Sequence, residues 1–112
     1  MKVEFSEVRG VKVVSVEGEL TGLTAGTFFN QVVALRGKGA AKIVVDLHGL
    51  TYVDSTGAGQ LWRTVESARG EGGEAVLAAA PPIVRKVLDM LGISGEVVMK
   101  DSVEDGIKHL GG

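Results

Sequence analysis

The sequence predicts a layered α/β domain built on a mixed, largely parallel sheet with helical crossovers. Strand-like and helix-like segments alternate along most of the chain, which is the pattern of strands linked by helices packed on the sheet. One β-branched run, residues 42–47, is nearly all apolar, as expected of a strand covered on both faces. The 17 glycines, about twice ordinary usage, fall mostly between the periodic segments, where they mark tight turns.

Residues 3–8 and 11–16 read as two strands joined at Arg9-Gly10, a short hairpin. Gly18-Glu19-Leu20-Thr21-Gly22 then breaks the strand pattern. Thr24 is placed to cap a first helix whose apolar stripe is Ala25, Phe28, Phe29, Val32 and Leu35, with Gly37 and Gly39 ending it. The buried strand 42–47 and a short loop follow. A second helix runs from 56 to about 69, with Ala58, Leu61, Trp62, Val65 and Ala68 spaced for burial and Gln60, Arg63, Thr64 and Ser67 on its polar side.

After Gly70-Glu71-Gly72-Gly73 comes a strand, 75–79. Pro81-Pro82 suits a helix start, and Ile83, Val84, Val87, Leu88 and Leu91 make that third helix's buried face. Met90 reads as core filler, and Gly92 as the stop residue with Ile93 as its apolar follower. Residues 97–100 form a short strand, and Ser102 caps a last helix carrying Val103, Ile107 and Leu110. The order is therefore ββαβαβαβα, in a single domain over residues 1–112.

Composition excludes several classes of function. The formal net charge is −2 and no basic stripe is interleaved with aromatics, so nucleic acid is not an expected partner. There is no cysteine, hence no disulfide framework, thiol nucleophile or cysteine-ligated metal. His48 and His109 stand far apart without a ligand pattern, so no metal or other cofactor is expected. Apolar runs are far shorter than a bilayer span, and the first residues lack a signal-peptide core. The expectation is a cytoplasmic protein, monomeric or weakly dimeric, away from the membrane.

The most informative stretch is Val53-Asp54-Ser55-Thr56-Gly57-Ala58-Gly59-Gln60. It joins the buried strand region to the second helix. A hydroxyl where a helix begins lies near unpaired backbone N–H groups and the positive end of the helix dipole. It can serve as an N-cap, and a phosphate added there would be tolerated electrostatically. Catalytic signatures fail at this stretch. Ser55 has Val53 two residues before it, so the Gly-x-Ser-x-Gly elbow is absent. No lysine follows Gly57-Ala58-Gly59, which excludes a P-loop, and Trp62 stands where a dinucleotide fingerprint needs glycine. Asp54 and Ser55 are adjacent with no third orienting group, a poor arrangement for general-base catalysis. No catalytic residue is assigned.

Ser-Val-Glu-Gly-Glu-Leu (15–20), the run 42–47 and Leu50-Thr51-Tyr52-Val53-Asp54-Ser55-Thr56-Gly57-Ala58-Gly59 together resemble the STAS domain, in particular that of bacterial anti-sigma factor antagonists. Residues 72–77 and 82–93 match its later strand and helix in order and spacing, so the resemblance covers nearly the whole chain. It implies a partner-switching role. The unphosphorylated antagonist binds an anti-sigma factor serine kinase and frees the sigma factor; phosphorylation of the loop serine releases it, and a phosphoserine phosphatase resets it in a transient encounter. The matching serine is Ser55. Asp54, Thr56, Gly57 and Ala58 complete the loop at the partner interface, and Gly18, Glu19, Leu20 and Thr21 match a second loop beside it.

Two positions depart from the family's common pattern. Thr21 stands where an aspartate is frequent, which bears on phosphorylation or kinase choice, and Ala58 replaces a larger apolar residue. Two alternatives stand beside the antagonist reading. One is a STAS scaffold or accessory subunit of another signalling or lipid-transport complex. The other is a small nucleotide-binding protein or enzyme using the Gly57–Gly59 loop.

Overall fold

The computed structural model describes residues 1–37 and 40–112. Strands β1 (Lys2–Val8) and β2 (Val11–Leu20) form the expected antiparallel hairpin. Its two turn residues, Arg9 and Gly10, have φ of 50° and 79°. Two consecutive left-handed residues make the turn whose twist matches that of the flanking strands. Next come α1 (Ala25–Arg36), β3 (Lys42–Asp46), β4 (Leu50–Val53) and α2 (Ser55–Gly70). The chain continues through β5 (Glu74–Ala78), α3 (Pro82–Met90), a 3-10 turn (Ile93–Gly95), β6 (Met99–Lys100) and α4 (Val103–His109). The sheet runs β1-β2-β3-β5-β6, with β4 also paired to β2, and every pairing except β1–β2 is parallel. The expected mixed, largely parallel α/β architecture is the one observed.

Two differences from the sequence reading concern the site directly. The strand pattern does not break at Gly18, because β2 continues to Leu20. Gly18 instead takes φ 91° at a register shift, and its N–H still bonds Gly49 O at 3.0 Å. A glycine in the left-handed region interrupts the side-chain alternation without ending the pairing, which is a β-bulge. The long β2 then has a second half to be paired. β3 matches residues 12–15, and β4 takes over at residues 18–20 after the turn at 47–49. The stretch read as a short loop is thus partly a sixth strand, and the order is ββαββαβαβα.

Side chains alternate across the sheet. One face carries Val14, Val16, Ile43, Val45, Ala75 and Leu77 under α1, α2 and α3; the other carries Val11, Val13, Val44, Val76 and Ala78 under α4. Helix α4 can press close because Gly106 has no side chain there; a Cβ would stand 3.1–3.2 Å from methyls of Val44 and Val76.

The helices bury less, or different, surface than their periodicity suggested. In α1, Ala25, Phe28 and Val32 are buried while Phe29 and Leu35 are partly so. Gly37 follows α1 as expected, and Gly39 lies outside the described residues. Helix α1 lies alongside α2, so the expected polar side of α2 partly faces a neighbour. Thr64 is buried there, its hydroxyl donating to Gln60 O at 2.9 Å, and Arg36 donates to Ser67. Arg63 alone of the four polar positions is exposed, its guanidinium 4.1 Å over the Phe29 ring.

Helix α3 sits at the edge and buries only the Val84–Leu88 stripe. Ile83, Leu91 and Met90, expected inside, are 55%, 47% and 76% exposed. Gly92, at φ 73°, is the expected left-handed stop. β6 is two residues shorter than read, and β5 starts and ends one residue early. Phe28 has no exposed surface. We expect Phe28→Ala to lower the unfolding free energy by about 3–5 kcal/mol, seen as a reduced denaturant midpoint with unchanged slope.

Candidate functional site

The site forms where the C-terminal ends of β2 and β4 meet the first turn of α2. Asp54, not Ser55, is the N-cap of that helix. Its backbone is extended, and its Oδ1 accepts from Gly57 N–H at 2.7 Å, satisfying one of the donors a helix start leaves open. Its Oδ2 accepts from Gly22 N–H at 3.1 Å, in the loop that leads from β2 to α1. One carboxylate therefore ties two segments together. Gly57 N–H, then Gly22 N–H, hold the Asp54 carboxyl below the usual carboxylate range, because both bonds favour the ionised form.

The second tie is steric. Asp54 N–H donates to Leu20 O at 3.3 Å, which draws the start of α2 onto the end of β2. A Cβ on Gly57 would lie 2.0 Å from Leu20 O and 2.7 Å from Leu20 C. Only glycine permits that approach. Gly59, by contrast, has nothing within 4 Å of where a Cβ would stand. It occupies an ordinary helical position.

Capping by Asp54 leaves Ser55 as the first residue of α2, exposed, with its hydroxyl making no hydrogen bond among the described residues. Thr56 beside it is also exposed, and its side chain lies 3.8–3.9 Å from where a Gly22 Cβ would stand. The backbone N–H groups of Ser55 and Thr56 have no acceptor within the helix, as for any first turn. Both Asp54 oxygens face backbone donors, so this carboxylate is not aimed at the Ser55 hydroxyl as a base.

The loop from β2 is stiffened by its own threonines. Thr21 N–H donates to Thr24 Oγ1 at 3.0 Å, Thr24 Oγ1 donates to Glu19 O at 3.1 Å, and Leu23 N–H donates to Thr21 Oγ1 at 3.2 Å. Thr24 flanks α1 as expected, but its hydroxyl binds this loop rather than capping the helix.

Of the residues expected at a partner surface, Glu19, Ser55 and Thr56 are exposed, and Gly18, Thr21 and Asp54 partly so. Leu20, Gly57 and Ala58 are buried, which corrects their expected place on the surface. They shape the face from beneath. Trp62 is half-buried against the core and partly covered by Arg69, 5.8 Å from its ring. His48 and His109 are exposed. Among the described residues no group of three or more His, Asp or Glu could hold a metal, and no helix is long and apolar enough to cross a membrane. The sequence reading missed Gly22 and Leu23. The Gly-Leu-Thr spacing after Thr21, typical of a hydroxyl-closed turn, was the available signal.

A STAS domain family model matches residues 2–106, and the chain belongs to the STAS domain family. It is 30% identical to an anti-sigma F factor antagonist of Paenibacillus polymyxa, an alignment covering 98% of this chain and 95% of the relative. Its fold matches a candidate anti-sigma factor antagonist of Thermotoga maritima with a TM-score of 0.89 at 22% identity, over 98% of this chain and 95% of that one. It also matches the anti-sigma factor antagonist SpoIIAA of Bacillus in its unphosphorylated form, with a TM-score of 0.78 at 23% identity over 96% and 95% of the two chains. SpoIIAA is known in a phosphorylated form as well, matched with a TM-score of 0.71 at 22% identity over 96% and 98% of the two chains.

The two glycines should separate cleanly. We expect Gly57→Ala to destabilise by about 1–3 kcal/mol through overpacking. Gly59→Ala should stabilise by about 0.5–1 kcal/mol through helix propensity. Denaturant titration of both variants checks this; equal effects of either sign would contradict the packing at Leu20.

The cap also has a pH signature. A carboxyl whose native pKa is depressed contributes stability above its unfolded pKa, near ~4, and loses it as pH falls through the native value. Asp54→Ala should therefore melt below wild type at neutral pH, and the gap should narrow as pH drops below the carboxylate range. Thermal melts across pH give the comparison.

Proposed function

We propose that the chain is an anti-sigma factor antagonist that works by partner switching. Unphosphorylated, it binds an anti-sigma factor with serine-kinase activity and frees the sigma factor. The kinase transfers the γ-phosphoryl group of ATP to Ser55 Oγ, with ADP as leaving group and loss of the hydroxyl proton, and the modified chain dissociates. A phosphatase hydrolyses the phosphoserine and resets the cycle. The observation that carries this reading is the exposed Ser55 hydroxyl at the first position of α2, without a hydrogen bond among the described residues, beside an Asp54 whose two oxygens each accept a backbone N–H. The relatives named as antagonists, and the existence of SpoIIAA in two phosphorylation states, support it.

The physics favours a local switch. Phosphate on Ser55 adds about −1.5 to −2 charge at neutral pH beside the ionised Asp54. The helix dipole and the N–H groups of the first turn offset part of that repulsion, so the fold survives. A docked partner has no such compensation, since the phosphate would have to be desolvated against it. Glu19 and the partly exposed Gly18 and Thr21 border the same face and complete the proposed contact.

Capture from native extract with mass spectrometry identifies the kinase, and incubation with that kinase and ATP should place one major phosphate, absent from Ser55→Ala. Ser55→Asp should fold as wild type and bind the kinase about 30-fold to several thousand-fold more weakly, the range expected for a desolvated charge in an interface. Principal labelling of Thr56, or undiminished labelling of Ser55→Ala, would sink the assignment.

A further inference from the structure

Leu23 is 95% exposed, against 40–76% for the other exposed large apolar side chains among the described residues. Isolated exposed leucines are ordinary on protein surfaces. This one differs in how it is held and where. Its own N–H is bonded to Thr21 Oγ1, the N–H groups of Thr24 and Ala25 both bond Thr21 O, and the preceding Gly22 N–H is bonded to the Asp54 carboxylate. The loop is closed by polar bonds on both sides of Leu23, yet among the described residues almost nothing covers the side chain itself. An apolar group presented by a loop already ordered loses little further freedom on binding.

The position is equally specific. Gly22 is bonded to the cap of α2 and lies against Thr56, so Leu23 stands one residue from the turn that carries Ser55. A partner that docks over the Ser55 hydroxyl would meet this loop beside it.

We infer that Leu23 is the apolar anchor of the docking face, inserting into a hydrophobic socket on the anti-sigma kinase beside its nucleotide site. The inference rests on the function proposed above and names the residue that supplies its contact energy. Desolvating a whole leucine side chain corresponds to about 10- to 150-fold in affinity, enough to make this residue dominate a transient complex. The charged and hydroxyl groups around it then set orientation and the moment of release. Thr21 acquires a task in the same picture. It supplies the acceptor that fixes the Leu23 N–H, a bond an aspartate side chain at that position can also make.

The test titrates wild type, Leu23→Ala and Leu23→Met against the captured kinase in ADP, where no phosphoryl transfer intervenes. Leu23→Ala should weaken binding about 30-fold with an unchanged melting curve, and Leu23→Met, of similar volume, should stay close to wild type. If wild type binds and is phosphorylated on Ser55 while Leu23→Ala binds as tightly, the anchor is wrong and the proposed function stands. If wild type captures no kinase, the function itself fails and the anchor with it. Sedimentation of the same proteins gives a third outcome: Leu23→Ala that abolishes self-association but leaves kinase binding intact would assign the side chain to a second copy of the chain and overturn the inference.

Discussion

The Asp54 carboxylate divides its oxygens between Gly57 and Gly22, and the arrangement of the whole site depends on that division. Oδ1 starts α2; Oδ2 holds the loop before α1. The same junction is closed sterically by Gly57 against the Leu20 carbonyl, so the end of β2, the start of α2 and the intervening loop behave as one block. A consequence follows for Ser55. Because the cap is provided by its neighbour, the serine hydroxyl has no structural duty, and a group without a structural duty can be modified without unfolding what surrounds it.

Most of the architecture was legible in the sequence, and the illegible parts share a cause. The hairpin, the four helices and the buried strands each carry a signal within a window of a few residues: the Arg9-Gly10 turn, the stripes of α1 and α2, the Pro81-Pro82 start, the Ser102 cap. The Ser102 side chain does accept from Asp105 N–H at 3.1 Å. β4 carries no such signal. Its four residues alternate poorly, with Thr51 and Tyr52 both exposed, and it exists because β2 is long enough to need a second partner after the bulge at Gly18. Thr64 and Met90 failed for the complementary reason. Local periodicity cannot say that α1 will cover one flank of α2, nor that α3 will bury only a narrow stripe at the sheet margin.

At the candidate site the sequence singles out the turn at Asp54–Gly57 and offers Ser55 as its cap, where the structure has Asp54. Ser55 and Asp54 both are natural caps, and composition does not rank them; the extended backbone at Asp54 does. Gly57 and Gly59 look alike in a string of letters. They differ chiefly through Leu20, thirty-seven positions before the first of them in the chain, whose carbonyl oxygen occupies the space a side chain at 57 would need. Leu23 was invisible for a similar reason, since a single leucine after Thr21-Gly22 is indistinguishable from a core residue until the loop is seen to turn it outward.

Fold alone would not separate this chain from other uses of the same architecture, because the sheet and its four helices describe a scaffold. The discriminating content lies in three features: a hydroxyl at a helix start with no hydrogen bond among the described residues, an ionised cap beside it, and an exposed leucine on a loop whose N–H groups from Thr21 to Thr24 are all bonded. Each could be incidental in isolation. Under the function proposed above, their joint placement on one block has a physical logic, in which the apolar group would supply attraction that does not depend on modification while a phosphorylated serine would supply repulsion that does. Attraction and repulsion acting on the same small face can then be set against each other by a single phosphoryl transfer, with no change of fold required. A switch built this way releases its partner as fast as the docked face separates, whereas one that had to rearrange β2 or α2 would be slowed by breaking the Asp54 and Gly57 ties first.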